Sequence, residues 1–476
     1  VYANQTVGSV ETTERFLFDL RRTYSEAFAL NYYEVIRSFC TRHGLFYEAQ
    51  AQASHQFICD AVLNYRHADI PMTEGPFRGT ETILGREYGN KRGNLEAASA
   101  GHLFAKRQIS REMFTSIDGN WSHTPFSYKR AVDAAFHLGV NHLVFHTYAH
   151  QYDERHPGWQ MDPWGTALNR KLTWWPLSDS WFDYLARSQY LLQQGRYAAD
   201  LLVFYGDNAP AVYERSVYFD QTMPYRGGRR FDIIDGDSLR NCLRVEDGRL
   251  TTETGQGAYR LLVVMKDRLL TLESLRALKR LAEDGAHILY EAVDFTTPAP
   301  SLRSRDDARY RELAAELFGE PDGEKHRAQI GRGVVYTGYS ENEVLDIPPA
   351  FRFETRSGKG AVHWLRRTYR DGGKNWYYLF NYDRYEPTKI AATFREDAVP
   401  AVWDPENGEV RDIPPMHREE GLTTLNIKLD PSDSLFVMFD RERPEPPYYE
   451  VREVVTKREL PPPYEVRFDP EWGGPA

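Results

Sequence analysis

The sequence predicts an α/β protein: a partial (β/α)8, TIM-type barrel, then a small α/β domain, then a C-terminal β-sandwich. Three observations carry this. Helix-period and strand-like segments alternate five times within residues 1–211. A tighter alternation fills 212–344. Near 345 helical periodicity stops, and short strands separated by turns follow.

The first unit is a helix over 15–43, with Phe16, Leu20, Tyr24, Phe28 and Ile36 near helical spacing and Gly44 as its stop. The strand-like run 45–50 follows. Helices near 54–66, 94–106, 127–138 and 178–194 lead in turn to strands at 69–74, 108–114, 142–146 and 201–205. A barrel is preferred to an open sheet because most of these strands carry polar residues toward their C-terminal ends, where barrels hold their active sites. Five units make part of eight, so about three β/α units are expected to precede them. In 212–344, strands at 231–234, 261–264 and 288–290 alternate with helices near 237–246, 271–283 and 305–317. Residues 345–440 supply the sandwich strands 362–365, 376–380, 390–394, 422–429 and 435–439. Residues 441–476 read as a Pro-rich linker and the start of a truncated β domain.

Composition excludes several classes of function. A net charge of −10 argues against non-specific nucleic-acid binding, which needs a basic footprint. No apolar run is long enough to span a membrane. Three scattered cysteines make neither a disulfide framework nor a zinc site. The 30 Tyr, 25 Phe and 10 Trp fill cores first, and they serve sugar stacking only where they cluster with polar groups.

Strand alternation puts chemistry on one face. Glu48 shares its face with Gln50 and Gln52, Glu74 with Ile70 and Met72, Glu112 with Ser110, and His142 with Val144 and His146. Glycoside hydrolysis needs two carboxyl groups flanking the scissile bond, and Glu48, Glu74 and Glu112 are the candidates. For each, an ordinary strand-end ion pair is the bland alternative. Glu96 and Lys106, at opposite ends of one helix, are read as structural. The segment 146–175 collects His146, His150, Gln151, Asn169, Arg170, Trp174 and Trp175, suited to hydrogen-bonding and stacking on a hydroxyl-rich ligand. A packed tryptophan plug at the barrel rim is its alternative.

The segments Asp69–Glu74, Glu96–His102, Glu112–Ser116, Gly139–His142, Phe145–Gln151 and Tyr190–Gly195 resemble, in this order, the family 106 glycoside hydrolases. These are large, mostly bacterial α-L-rhamnosidases. The resemblance runs from about residue 15 to the closing Phe468–Pro475. It implies a (β/α)8 barrel with accessory α/β and sandwich domains, an inverting two-glutamate mechanism on a rhamnose-containing glycan or glycoside, and an active-site calcium. Carried over, Glu112 takes the general-base position and Glu74, ahead of Glu48, the acid. Glu48 with Gln50 could instead offer oxygens to calcium. A periplasmic or secreted location goes with the family, although no signal is in this sequence. Arg111 departs from the pattern by standing where a small residue is expected, beside Glu112. A barrel glycosidase of other, β-galactosidase-like specificity and an inactive carbohydrate-binding protein are the competing readings.

Overall fold

The computed structural model describes residues 5–447 except 53–58, 75–91, 117–120, 122, 162–167, 209–224, 255–256, 267, 294–297, 304–305 and 370–371. Ser9 opens helix α1 (Val10–Phe28), its hydroxyl accepting the Thr12 N–H at 3.0 Å and so satisfying one of the helix's otherwise unpaired donors. The continuous helix expected over 15–43 is interrupted by a π-turn at Ala29–Tyr33 before α2 (Glu34–Arg42). Tyr33 is buried at that turn, while Leu30 and Tyr32 stay exposed. Gly44 ends α2 at φ +69°, a conformation that favours glycine.

Strand β1 (Glu48–Gln52), helix α3 (Ala61–Arg66), strand β2 (Ile70–Glu74), helix α4 (Arg92–Leu103), strand β3 (Ser110–Met113), helix α5 (Pro125–His137) and strand β4 (His142–Phe145) follow. The four strands form one parallel sheet in the order β1-β2-β3-β4. The helices start where the sequence caps them. Asp60 accepts from Leu63 N–H, and Thr124 and Ser127 form a reciprocal capping box with Pro125 in the first turn. The outer sheet face is small and apolar. Ala49 and Ala51 pack with Val62 and Tyr65 of α3 and with Ala97, Ala98 and Ala100 of α4.

The fifth barrel strand expected at 201–205 is not in this sheet. After α6 (Asp179–Leu192) come β5 (Arg196–Tyr197) and β6 (Leu201–Phe204), and β6 is an interior strand of a separate seven-stranded sheet. It pairs in parallel with Leu261–Val264 on one side and Phe231–Ile234 on the other. Its composition explains why. Leu201, Leu202, Val203 and Phe204 are all fully buried, and such a continuous apolar run suits a strand covered on both faces. Leu202 and Phe204 pack against Leu275 and Leu278, whereas Leu201 and Val203 pack among the residues of α3 and α4. The α/β sheet therefore begins at 201 rather than 212, and one of its faces rests on helices of the first sheet.

The sandwich has a four-stranded sheet (Phe351–Ser357, Thr388–Phe394, Leu422–Leu429, His417–Glu419) and a six-stranded one. The sixth strand is β5, paired antiparallel with Val362–Thr368. Phe351, Tyr377, Phe394 and Phe439 fill the space between the sheets. Trp376, Tyr378, Phe380 and Phe436 face the other way and pack on α5 and α6. There Lys129 Nζ donates to Asp133 (3.1 Å), to Ser432 O (2.8 Å) and to Ser434 Oγ (2.9 Å). Tyr378 and Tyr184 hydroxyls donate to the other oxygen of the fully buried Asp133. Val1–Pro444 is one compact unit, so these sheets are not separate bodies. The expected linker and truncated β domain at 441–476 lie outside the described residues from 448 onward. Among the described residues, no helix is long and apolar enough to cross a membrane.

Candidate active site

Parallel register builds the site in layers. Gln50 aligns with Met72, Met72 with Ser110, and Ser110 with His142; one layer further toward the strand C-termini, Glu74 aligns with Glu112 and Glu112 with Val144. The side chains grouped on one face by alternation are thus brought together. The sheet is also strongly curved. In a flat sheet strands lie about 4.8 Å apart, so β1 and β4 would stand about 14 Å apart. Yet Glu48 Oε1 lies 4.0 Å from His142 Nδ1, and Gln50 Nε2 donates to Glu112 Oε2 at 3.0 Å across the intervening strand β2. This face is the concave one.

Glu112 is the most constrained carboxylate here. Gln50 holds Oε2, and the Thr115 hydroxyl donates to Oε1 at 2.6 Å. Thr115 is a site residue that strand alternation could not reveal, because it acts from the turn after β3. Ser110 Oγ lies 2.7 Å from His142 Nδ1, fixing the imidazole beside Glu48. Arg111 does not crowd Glu112: it pairs in register with Thr73 and Leu143, and alternation turns it to the opposite face. Glu96 is buried in α4, in keeping with a structural role.

The 146–175 segment leaves β4 at His146, whose N–H donates to Met113 O at 2.9 Å. Gln151, expected to meet the ligand, is engaged within its own loop. The residue is buried, its Nε2 donates to Ala149 O and Trp159 O, and its Oε1 accepts Trp159 N–H, so the amide staples the loop. Asn169 is likewise fully buried and accepts from Lys171 N–H. Arg170 clamps the same loop through Gln151 O, Asp153 O and Glu154. Trp174 donates Nε1–H to His123 O and packs against Trp175, which in turn meets Tyr148 and Phe182. Trp174 and Trp175 are thus half-buried and engaged with their own neighbours. His150 is exposed, and so are Tyr148, Tyr152 and Trp159, aromatic surfaces that the sequence pattern did not separate from the rest. The Pro163-Trp164-Gly165 stretch lies outside the described residues.

Calcium takes about six to eight oxygen ligands. Here Glu48 has an imidazole nitrogen as its neighbour, and the Gln50 amide nitrogen is turned to Glu112. Among the described residues no group of three or more His, Cys, Asp or Glu side chains is placed to hold a metal ion. Glu48 and Gln50 by themselves do not make that oxygen set.

Glu74 and Glu112 thus lie toward the C-terminal ends of β2 and β3, and Glu48 opens β1 on the same face, an arrangement that can set carboxyl groups on either side of a glycosidic bond. The chain belongs to glycoside hydrolase family 106, described as alpha-L-rhamnosidase, whose model matches residues 1–417. It is 28% identical over 447 residues to a Formosa agariphila protein named "Putative beta-glucuronidase", covering 92% of this chain and 35% of that one. A solved rhamnosidase from Novosphingobium sp. PP1Y superposes with a TM-score of 0.82 at 27% identity, over 93% of this chain and 42% of that one. A β-galactosidase from Bacillus circulans sp. alkalophilus shares the fold alone, at a TM-score of 0.55 and 11% identity, over 89% of this chain and 68% of that one. The chain spans less than half the length of the first two relatives.

Proposed function

We propose that the chain contributes four strands of a (β/α)8 barrel to an α-L-rhamnosidase that releases terminal α-L-rhamnose from a polysaccharide or glycoside. The observation that carries this is Glu112, held at both oxygens on the concave face of a curled parallel sheet in a member of family 106. In this reading Glu112 is the general base that takes a proton from the attacking water, and the two donors aim it.

An inverting mechanism needs its carboxyl groups about 6.5–9.5 Å apart, to admit a water. Glu74 stands in register with Glu112 on the adjacent strand, where backbones are only about 4.8 Å apart. Glu48, two strands over and in register with Ile70 rather than with Glu74, is not confined to that adjacent-strand spacing, and in this reading we move the acid role from Glu74 to Glu48. His142, His146 and His150, with the exposed rings of Tyr148, Tyr152 and Trp159, are then the groups placed for sugar hydroxyls and ring faces. The same register favours one second reading: a Glu74–Glu112 pair spaced for retention, in a barrel glycosidase of other specificity, since retaining pairs stand about 5–5.5 Å apart.

Proton NMR of the first-formed sugar, with the full-length enzyme on an aryl α-L-rhamnoside, tests both readings. The β anomer as first product supports inversion. The α anomer supports the Glu74–Glu112 pair, and no turnover, against turnover of a β-D-galactoside or β-D-glucuronide, rejects rhamnose as the substrate.

A further inference from the structure

A cavity of about 130 Å³ lies between the N-terminal edge of the seven-stranded sheet and the sandwich, and its charge is opposite to that of the chain. Arg196, Arg230, Arg249, Arg260, Arg366 and Arg395 line it, and Asp200 is the one carboxylate in the lining. Two of these cations are answered nearby: Arg366 pairs with Glu396 at 2.8 Å, and Arg230 donates to Tyr197 OH, Trp364 O and His137 O. Asp200 is overdrawn. Its buried carboxylate is shared by Arg395 (2.9 Å), Arg229 (3.3 Å) and Arg260 (3.3 Å). Burial alone would raise the Asp200 carboxyl, but these three guanidiniums hold it below the usual range.

Arg249 is the cation without a direct partner. Among the described residues its guanidinium makes no hydrogen bond or ion pair, it feels the already shared Asp200 carboxylate only at longer range, and it is only partly exposed. Backbone pairing also forces it against a like charge. Leu250 and Tyr259 exchange both N–H···O bonds at 2.9 and 3.0 Å as an antiparallel bridge, which sets Arg249 opposite Arg260. Like charges directly opposite one another repel. Burial first, and Arg249 second, push the Arg260 guanidinium down to about 10. Buried charge normally finds a counter-charge, and guanidinium forks match oxyanions by parallel N–H···O bonds.

We propose that this cavity binds a tetrahedral oxyanion, sulfate or phosphate, either free or carried as an ester on a sugar. Arg249 and Arg260 supply the fork from the sheet side, and Arg395 closes from the sandwich. The anion would cancel the repulsion between Arg249 and Arg260 and tie the two sheets together.

The test is calorimetric titration of inorganic sulfate and phosphate into the protein at low ionic strength, with chloride matched in ionic strength as control. The expected result is saturable sulfate or phosphate binding that chloride does not mimic, weakened about tenfold or more in Arg249→Ala and in Arg260→Ala, as loss of a charge-assisted hydrogen bond would give. Melting temperatures in anion-free buffer establish that the variants fold, and Arg249→Lys, which keeps the charge and loses the fork, should bind at an intermediate strength. A monosaccharide sulfate in place of the free ion separates the sources: comparable or tighter binding identifies a sulfated sugar as the ligand, and silence identifies the free ion. Binding no stronger than chloride, or unchanged affinity in both alanine variants, overturns the proposal.

Discussion

At the scale of single residues, Glu112 is defined by what touches it. Replacing it with Gln keeps the shape and the contacts of one oxygen but removes the basic lone pair. We expect kcat to fall by about 10²–10⁴, the usual contribution of a positioned general base, with the fold intact by circular dichroism; near-wild-type turnover would remove Glu112 from the base role. Gln50 acts through Glu112, so Gln50→Ala should lower kcat by about tenfold with little change in KM, the pattern of an interaction made in the transition state. A rise in KM alone would instead put Gln50 on the substrate. For Glu48 the readout is the leaving group. As the acid, its Gln variant should lose activity on poor leaving groups while aryl rhamnosides with acidic phenols are spared, because a leaving group that departs as a stable anion needs no proton. Equal loss on both classes would count against the assignment.

Elements meet through a few buried polar groups, and their worth is measurable. Asp133 on α5 neutralises Lys129 and accepts from Tyr184 and Tyr378, joining α5, α6 and the sandwich. Asp133→Ala removes the nearer of two carboxylates from a buried ammonium, Glu406 remaining at 3.5 Å, and takes away the shared acceptor of two hydroxyls, so we expect destabilisation of about 3 kcal/mol, the lower end for breaking a buried pair, by chemical denaturation. Asp433, in the turn before the last sandwich strand, behaves in the opposite sense. Burial raises its carboxyl from 3.8 to about 6, with Lys129 opposing and Glu406 reinforcing. A raised folded-state value means that its favourable contribution is complete below about pH 3.8 and is lost as pH rises through about 6. Asp433→Asn should therefore raise the melting temperature at pH 7–8 and leave it unchanged near pH 3.5. The gain is at most about 3 kcal/mol for a shift of about two pH units, and smaller because the side chain is partly exposed. An unchanged melting temperature at pH 8 would show that the residue is already solvated.

For the whole molecule, the placement of β6 decides how the parts hold together. With Leu201–Phe204 between Leu261–Val264 and Phe231–Ile234, the stretch before 211 is hydrogen-bonded into the sheet that follows it. A protease site introduced within 209–224 should give two fragments that co-elute on size exclusion and separate only in denaturant. Fragments that separate in native buffer would show that this strand pairing is weak. Across the same junction His102 Nδ1 contacts Asp232 at 2.9 Å, and the Tyr259 hydroxyl donates to the other Asp232 oxygen at 2.7 Å, so α4 is fastened to the α/β sheet as well.

What the sequence by itself determined is whatever local period and capping encode. The helices ending at Gly44 and Gly139, the alternation that puts Gln50, Glu74, Glu112 and His142 on one face, and strands such as Leu422–Leu429 could all be read from composition and spacing. What only the tertiary structure decided is which neighbours those faces meet. A four-residue apolar run at 201–204 has the same local preference in a barrel or in an open sheet, and its partners, at sequence distances of about 30 and 60 residues, settle the matter. The same holds within the site. Composition offers Gln50, Gln151 and Asn169 as polar groups, and only the tertiary structure shows that the Gln50 amide reaches Glu112 and that Gln151 and Asn169 bond within their loop. Side-chain type follows from the chain. Curvature, register across non-adjacent strands and loop closure are sums over long-range contacts, which no local window contains.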